Sequence, residues 1–172
     1  MPWHRTQLER GSDNIPAIKF HGGCACASVR YSLSSAPMYI YCCHCSWCQR
    51  ETGSAFALNA LIETSNVHLQ CGTIEQVGTP TLIRGGQLIS RCRLCKVAVW
   101  SNYGAANKNV RFVRVGTLDD AQQFKPDIHI FTASKQAWLV LDESTPSVLE
   151  YYRGSQYWRA ESVQRYKRAT AR

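Results

Sequence analysis

Seven of the chain's cysteines fall into three short clusters, and their spacing is that of metal thiolates. Cys24 and Cys26 form a C-x-C after Gly22-Gly23, Cys43, Cys45 and Cys48 form a C-x-C-x-x-C, and Cys92 and Cys95 form a C-x-x-C; Cys42 and Cys71 are left over. Short spacings in tight turns let several sulfurs converge on one Zn²⁺ at about 2.3 Å without straining the backbone. Gly22 and Gly23, lacking side chains, would let backbone N–H groups turn towards the sulfur charge. The count of ligands then divides the set. C-x-C with C-x-x-C supplies four sulfurs and closes a structural site, whereas Cys43, Cys45 and Cys48 supply three and leave a position for substrate, the pattern of a catalytic zinc. Cys42 or His44 is the alternative fourth ligand that would close this second site, although adjacent residues in an extended segment point to opposite sides. A redox dithiol would leave the other cysteine pairs without a task.

Three thiolates give bound Zn²⁺ a local charge of −1, which suits it less to activating water than to holding a sulfur substrate as its thiolate, ready to attack a carbonyl carbon. Around the open set, His44, Gln49, Arg50 and Ser54 are near enough in sequence to position such a substrate. For Arg50 the competing reading is a solvated charge, and for Ser54 a turn residue in Thr52-Gly53-Ser54. His129, in PDIHIF, lies on a strand whose alternation sets it opposite Ile128 and Ile130, and it suits either a site-lining or a hydrogen-bonded structural role. Lys135 could offer charge to a peptide carboxylate. Trp138 reads as core, as do Cys42 and Cys71, each packing as a small apolar residue.

The elements that must carry these groups are mainly strands. Runs rich in Val, Ile, Tyr and Phe occur at 29–33, 38–41, 56–62, 67–70, 88–91, 97–100, 110–115, 128–131 and 138–141, separated by Gly, Pro, Ser, Asn and Asp. After Pro146, Tyr157, Ala160, Val163 and Tyr166 recur every three residues and predict an amphipathic helix. The expected organisation is a flexible flank over 1–14, a zinc-binding domain over 15–146 and a basic helical tail over 147–172.

The 172 residues carry a formal charge of +8. Seven deprotonated sulfurs with two zinc ions would lower that to about +5. Residues 153–172 hold six basic side chains against Glu161 alone, so the excess sits in the tail. A capping helix with a solvated basic face accounts for it; a nucleic-acid arm is the alternative. No apolar run suits a membrane span and MPWHRTQLERGSDN offers no signal peptide, so the expectation is a soluble cytoplasmic protein, with metal thiolates in place of a disulfide framework.

The segments HGGCACASVRYSL, YCCHCSWCQRETGSAFALNALI, RCRLCKVAVWSNYG, VRVGTLDD and PDIHIFTASKQAWLVLDE, in that order over about residues 20–142, resemble the glutathione-dependent formaldehyde-activating enzyme family, also called the centromere protein V/GFA domain. That resemblance implies a mainly β, Mss4-like fold, with Cys24, Cys26, Cys92 and Cys95 matching the structural zinc ligands and Cys43, Cys45 and Cys48 the catalytic ones. It also implies addition of glutathione, as co-substrate, to formaldehyde to give S-hydroxymethylglutathione, a carbon–sulfur lyase in reverse. Lys96 stands where the family usually has glycine after its second C-x-x-C, and Arg91 where an aromatic residue is common. Two other functions are compatible with the same scaffold: a zinc enzyme of specialised metabolism acting on another small electrophile, and a non-catalytic zinc module that binds nucleic acid or protein through the basic tail.

Overall fold

The computed structural model describes residues 20–81, 85–104 and 108–171. The flank expected over residues 1–14 lies outside them. The fold is mainly β, as the strand runs predict. Strands β1 (Phe20–Gly23), β2 (Arg30–Leu33) and β5 (Val67–Cys71) form a small sheet in the order β1-β2-β5. The larger sheet has the order β10-β3-β4-β9-β8-β7-β6. Its strands are β3 (Tyr39–Cys43), β4 (Ala57–Glu63), β6 (Ile74–Thr79), β7 (Gln87–Cys92), β8 (Ala98–Tyr103), β9 (Val110–Arg114) and β10 (Ile128–Ile130). All its pairings are antiparallel except β10 with β3, where His129 lies opposite Cys42.

Both faces of the large sheet are covered, and side-chain alternation sorts residues between two cores. On β4, Ala60 and Ile62 face the first core, with Tyr31, Leu33 and Val67 of the small sheet; Ala57 and Leu61 face the second. On β3, Ile40 enters the first core while Tyr39, Tyr41 and Cys43 enter the second. Every residue of β3 is buried, so it reads as a continuous apolar run rather than an alternating one.

The second core is closed by the carboxy-terminal segment, with helices α2 (Gly154–Tyr157) and α3 (Ala160–Thr170) following α1 (Ser46–Thr52) in chain order. Tyr166 and Ala169 of α3 pack on that core, and Trp158 stacks on Tyr39 with ring centroids 5.1 Å apart. Arg165 reaches back to β4, donating from Nε to Glu63 Oε1 at 2.8 Å and from Nη2 to Oε2 at 2.6 Å. One of the tail's basic residues is therefore used to dock the helix.

Three expectations need correction. Residues 138–141 form no strand: with no ladder partner, Trp138 is 71% exposed and Val140 is exposed too. Cys71 is exposed at the end of an edge strand rather than packed as an apolar residue, whereas Cys42 is buried. Gly22 and Gly23 are extended in β1 and make no N–H turn; a Cβ on Gly22 would come within 2.5 Å of the Tyr31 ring, so Gly22 serves close packing.

Candidate metal centres and active site

The cysteines assemble as the ligand count predicts. Cys24, Cys26, Cys92 and Cys95 bring their sulfurs within 4.8 Å of one another, and Cys43, Cys45 and Cys48 do likewise. The four-sulfur set joins the turn after β1 to the turn after β7. Val29 N–H donates to Cys24 Sγ at 3.3 Å, and the Ser28 hydroxyl lies 3.1 Å from both Cys26 Sγ and Cys92 Sγ. Those Ser28 contacts lower the Cys26 thiol and, with backbone N–H groups, hold Cys92 at about 6, whereas Cys95 is raised, the backbone N–H groups of Val97 and Cys26 being outweighed by burial and its contacts with Cys26 and Cys92. Sulfur separations of 3.5 Å for Cys24–Cys26 and 3.8 Å for Cys26–Cys92 sit close to the ~3.8 Å edge of a tetrahedron with 2.3 Å zinc–sulfur bonds. The residues present fit a zinc ion. Lys96 takes the left-handed conformation (φ 62°) that glycine usually supplies, and its N–H bonds Cys92 O at 2.9 Å, so the turn closes without the glycine.

The three-sulfur set is built on the exit from β3 and the first turn of α1. Cys45 caps that helix, its sulfur accepting the Cys48 N–H at 3.4 Å, and Gly53, at φ 65°, ends it with its N–H on Gln49 O at 2.8 Å. The Cys43 thiol donates to Cys45 Sγ at 3.5 Å. That hydrogen bond and a second from Cys48 hold the Cys45 thiol down to about 2, while the same contact raises Cys43. Metal binding at such a set needs the sulfurs deprotonated, and a divalent cation would take the place of the protons they share. Zinc fits here as well. Among the described residues no fourth cysteine, histidine or carboxylate joins this set.

The loop carrying these sulfurs is tied down on both sides. His44 N–H donates to Ile130 O at 3.0 Å, and His44 O accepts from Gln49 Nε2 at 2.7 Å and Ser134 Oγ at 3.0 Å. From α1, Glu51 reaches the sheet, where one oxygen takes Arg91 Nη2 at 2.5 Å and the other Arg114 Nη2 at 2.8 Å. Arg114 also donates to Asn59 Oδ1 at 2.5 Å. Glu51 and Arg114 side chains are each 9% exposed. This buried network was missed at the level of sequence, because a glutamate one residue before a helix end reads as solvated.

Neither Cys42 nor His44 closes the three-sulfur set. The two instead meet His129 across β3 and form a buried group of their own. His44 is fully buried and its Nε2 lies 2.9 Å from His129 Nδ1. Since His44 Nδ1 is buried without a partner, donation from Nε2–H leaves only a lone pair unmatched, the lesser penalty. Burial, then the neighbouring His129, pushes the His44 imidazole down to about 4, and burial lowers His129. Ile128 and Ile130 face the second core, so His129 does point to the other side of β10.

A cavity of about 660 Å³ opens on Cys43, Cys45 and Cys48. Tyr103 and Phe112 of the sheet line it, together with Tyr151, Trp158 and Tyr166 of the carboxy-terminal segment. Phe131, on its rim, holds φ 57°, a rare conformation for a bulky residue. A second hollow of about 400 Å³ shares Ser46 with the first in its lining; Gln49, Arg50, Ser54, Gln136 and Trp138 also line it. Arg50 and Ser54 thus flank the site, Trp138 is wall rather than core, and His44 and His129 line neither hollow. Lys135 also lies off both, its Nζ donating to Gln136 O at 3.1 Å and Leu139 O at 2.6 Å. No helix among the described residues is long and apolar enough to cross a membrane.

No curated protein matches the chain. It is similar to a crystal structure of a Rhodobacter sphaeroides protein, at 21% identity over 58% of this chain and 87% of that one, with a TM-score of 0.46. The profile described as glutathione-dependent formaldehyde-activating enzyme matches residues 19–134, well over half of the sequence and spanning all seven paired cysteines. The chain belongs to the glutathione-dependent formaldehyde-activating enzyme family.

Proposed function

We propose that this protein makes and breaks the carbon–sulfur bond of a thiol–aldehyde adduct of the S-hydroxymethylglutathione kind. The site would be a zinc ion held by Cys43, Cys45 and Cys48, and a second zinc on Cys24, Cys26, Cys92 and Cys95 would be structural. The observation that carries this reading is the asymmetry between the two sulfur sets. Three sulfurs open on a cavity and find no fourth ligand among the described residues, while the four-sulfur set lines neither hollow.

When bound, the open-site zinc supplies a Lewis-acidic position that favours the thiolate form of an incoming thiol. The remaining work belongs to the chain. Arg50, Ser54 and Gln136 would hold the polar body of the thiol, glutathione in this reading, in the hollow that shares Ser46 with the cavity. The apolar cavity wall would exclude water and set the aldehyde beside the sulfur, turning an encounter into an intramolecular step. In the forward direction the S–H bond breaks, a C–S bond forms, and the proton passes to the carbonyl oxygen; the reverse restores thiol and aldehyde. His129 would act as a positioning residue, its hydrogen bond holding His44 and so the backbone between Cys43 and Cys45. The nucleic-acid reading gains no support from Arg165, which is engaged with Glu63.

The test is metal content and turnover. Wild type is expected to hold two zinc ions and to accelerate adduct formation from glutathione and formaldehyde. Cys45→Ala should lose one zinc and the activity while staying folded. Retention of both metals in that variant would refute the division into two kinds of site, and a two-zinc wild type that turns over neither formaldehyde nor a larger aldehyde with glutathione would refute the chemistry.

A further inference from the structure

The cavity is far larger and more apolar than formaldehyde requires. Formaldehyde is little bigger than a water molecule, whose share of the liquid is about 30 Å³, whereas the cavity holds about 660 Å³, within the range that accepts drug-sized ligands. Glutathione is an equally poor occupant. It carries two carboxylates and an ammonium, and apart from the cysteines the only charged side chain among the described lining residues is Lys167. Burying unmatched charges against tyrosine, phenylalanine and tryptophan carries a large desolvation penalty. The wall also has a distinct origin. Tyr151, Trp158, Val163 and Tyr166 lie beyond the span 19–134 that the family profile matches, so this face of the cavity is added to the part of the chain that carries the sulfurs.

We propose that the carbonyl substrate of this site is a bicyclic or tricyclic aromatic aldehyde. Its rings would lie among Tyr103, Phe112, Tyr151, Trp158 and Tyr166, with the formyl group at the cysteine end. A lining this rich in aromatic side chains favours a flat π-system by offset and edge-on contacts. The proposal rests on the adduct chemistry assigned above to Cys43, Cys45 and Cys48. The step is balanced: a thiol loses its S–H proton, its sulfur bonds the formyl carbon, and the former carbonyl oxygen takes the proton to become the hydroxyl of the thiohemiacetal. The thiol would enter beside Arg50, Ser54 and Gln136, and the selectivity for the aldehyde would reside in the carboxy-terminal wall.

Binding and turnover test this separately, in the zinc-loaded full chain. Calorimetric titration should show unreactive 2-naphthol binding at least tenfold more tightly than phenol. With glutathione, 2-naphthaldehyde should be turned over with kcat/KM at least tenfold above that for formaldehyde. Val163→Asp, which sets a carboxylate in the wall, should weaken 2-naphthol tenfold and lower the naphthaldehyde-to-formaldehyde ratio by a similar factor. Val163→Trp, which occupies the space with an apolar group, should do the same should the aspartate variant misfold. Formaldehyde turnover without preference for the larger aldehyde, or 2-naphthol binding no better than phenol, overturns this proposal and leaves the adduct chemistry standing. Binding of 2-naphthol that requires removal of residues 1–19 also overturns it, because the cavity would then belong to the chain's own amino-terminal segment. Tight 2-naphthol binding with turnover of neither aldehyde has the opposite meaning, supporting the aromatic pocket while refuting the chemistry assigned to the sulfurs.

Discussion

Replacing Glu51 with glutamine should weaken the protein more than the loss of one surface charge would suggest. The carboxylate sits between two arginines, at 2.5 Å from Arg91 and 2.8 Å from Arg114, and both it and Arg114 are nearly out of water. Removing one partner of a buried ion pair costs about 3–5 kcal/mol, because the other charge is left uncompensated. Glutamine keeps the shape and one carbonyl acceptor, and Asn59 Oδ1 still accepts from Arg114, so the expected loss is about 2–3 kcal/mol. Against a total stability of roughly 5–15 kcal/mol this is a large share. With a urea m-value of about 1–3 kcal/mol per M, the unfolding midpoint should fall by about 1 M or more.

Because Glu51 lies on α1 three residues after Cys48, loosening it should also speed zinc release from the three-sulfur set to a chromogenic chelator and leave the four-sulfur set unaffected. Glu51→Met combined with Arg114→Met should recover at least half of the lost stability, since an apolar replacement removes the buried charge together with its partner. A midpoint within 0.3 M of wild type, as an order-of-magnitude limit, together with unchanged zinc release, would show that the network does not position α1.

Two further outcomes follow from the docked tail and the structural turn. Burial alone would raise the Glu63 carboxyl, but the Arg165 fork overrides it and leaves it below its ordinary 4.5. A carboxylate depressed in the folded state contributes stability that is complete above that value and is lost as pH falls through the folded one. The stability difference between wild type and Arg165→Gln should therefore be about 1–3 kcal/mol at pH 7 and shrink as pH falls below 4.5; equal differences at pH 7 and pH 3.5, measured by urea unfolding, would contradict it. Lys96→Gly removes a left-handed conformation that an L-residue adopts at a cost of about 1–2 kcal/mol, offset by glycine's greater freedom when unfolded. It also loses the exposed ion pair of Lys96 with Glu75, so a net gain of about 0.5–1 kcal/mol in thermal or urea unfolding is expected, and a destabilised variant would count against it.

How far the sequence reaches depends on whether a feature is local. The division of seven cysteines into four and three was legible because within each cluster the cysteines lie two or three positions apart, and a tetrahedral ion tolerates few ways of collecting them. The opposed orientation of His129 was legible for the same kind of reason, since strand alternation is set within three residues. Its partners were not: Cys42 and His44 reach it only because β10 pairs parallel to β3, a long-range choice. The edge strand β6, IEQVGT, was missed because its residues are polar and glycine-containing and only its pairing with β7 makes it a strand.

The carboxy-terminal helix marks the limit most clearly. The three-residue recurrence of Tyr157, Ala160, Val163 and Tyr166 reveals an apolar face but not what that face meets. Periodicity reports only that water is avoided. In the folded chain Tyr166 lies on the second core and also borders the cavity, with Val163 beside it on that border. Where the sulfurs stand in a motif of six residues, the rest of the cavity lining is drawn from strands and helices as distant as Tyr41 and Thr170. The cysteine clusters are consequently written locally and the cavity wall globally, which is why a family resemblance carried by the cysteines identifies a candidate metal scaffold while the carbonyl proposed for it has to be argued from the wall that the carboxy-terminal segment supplies.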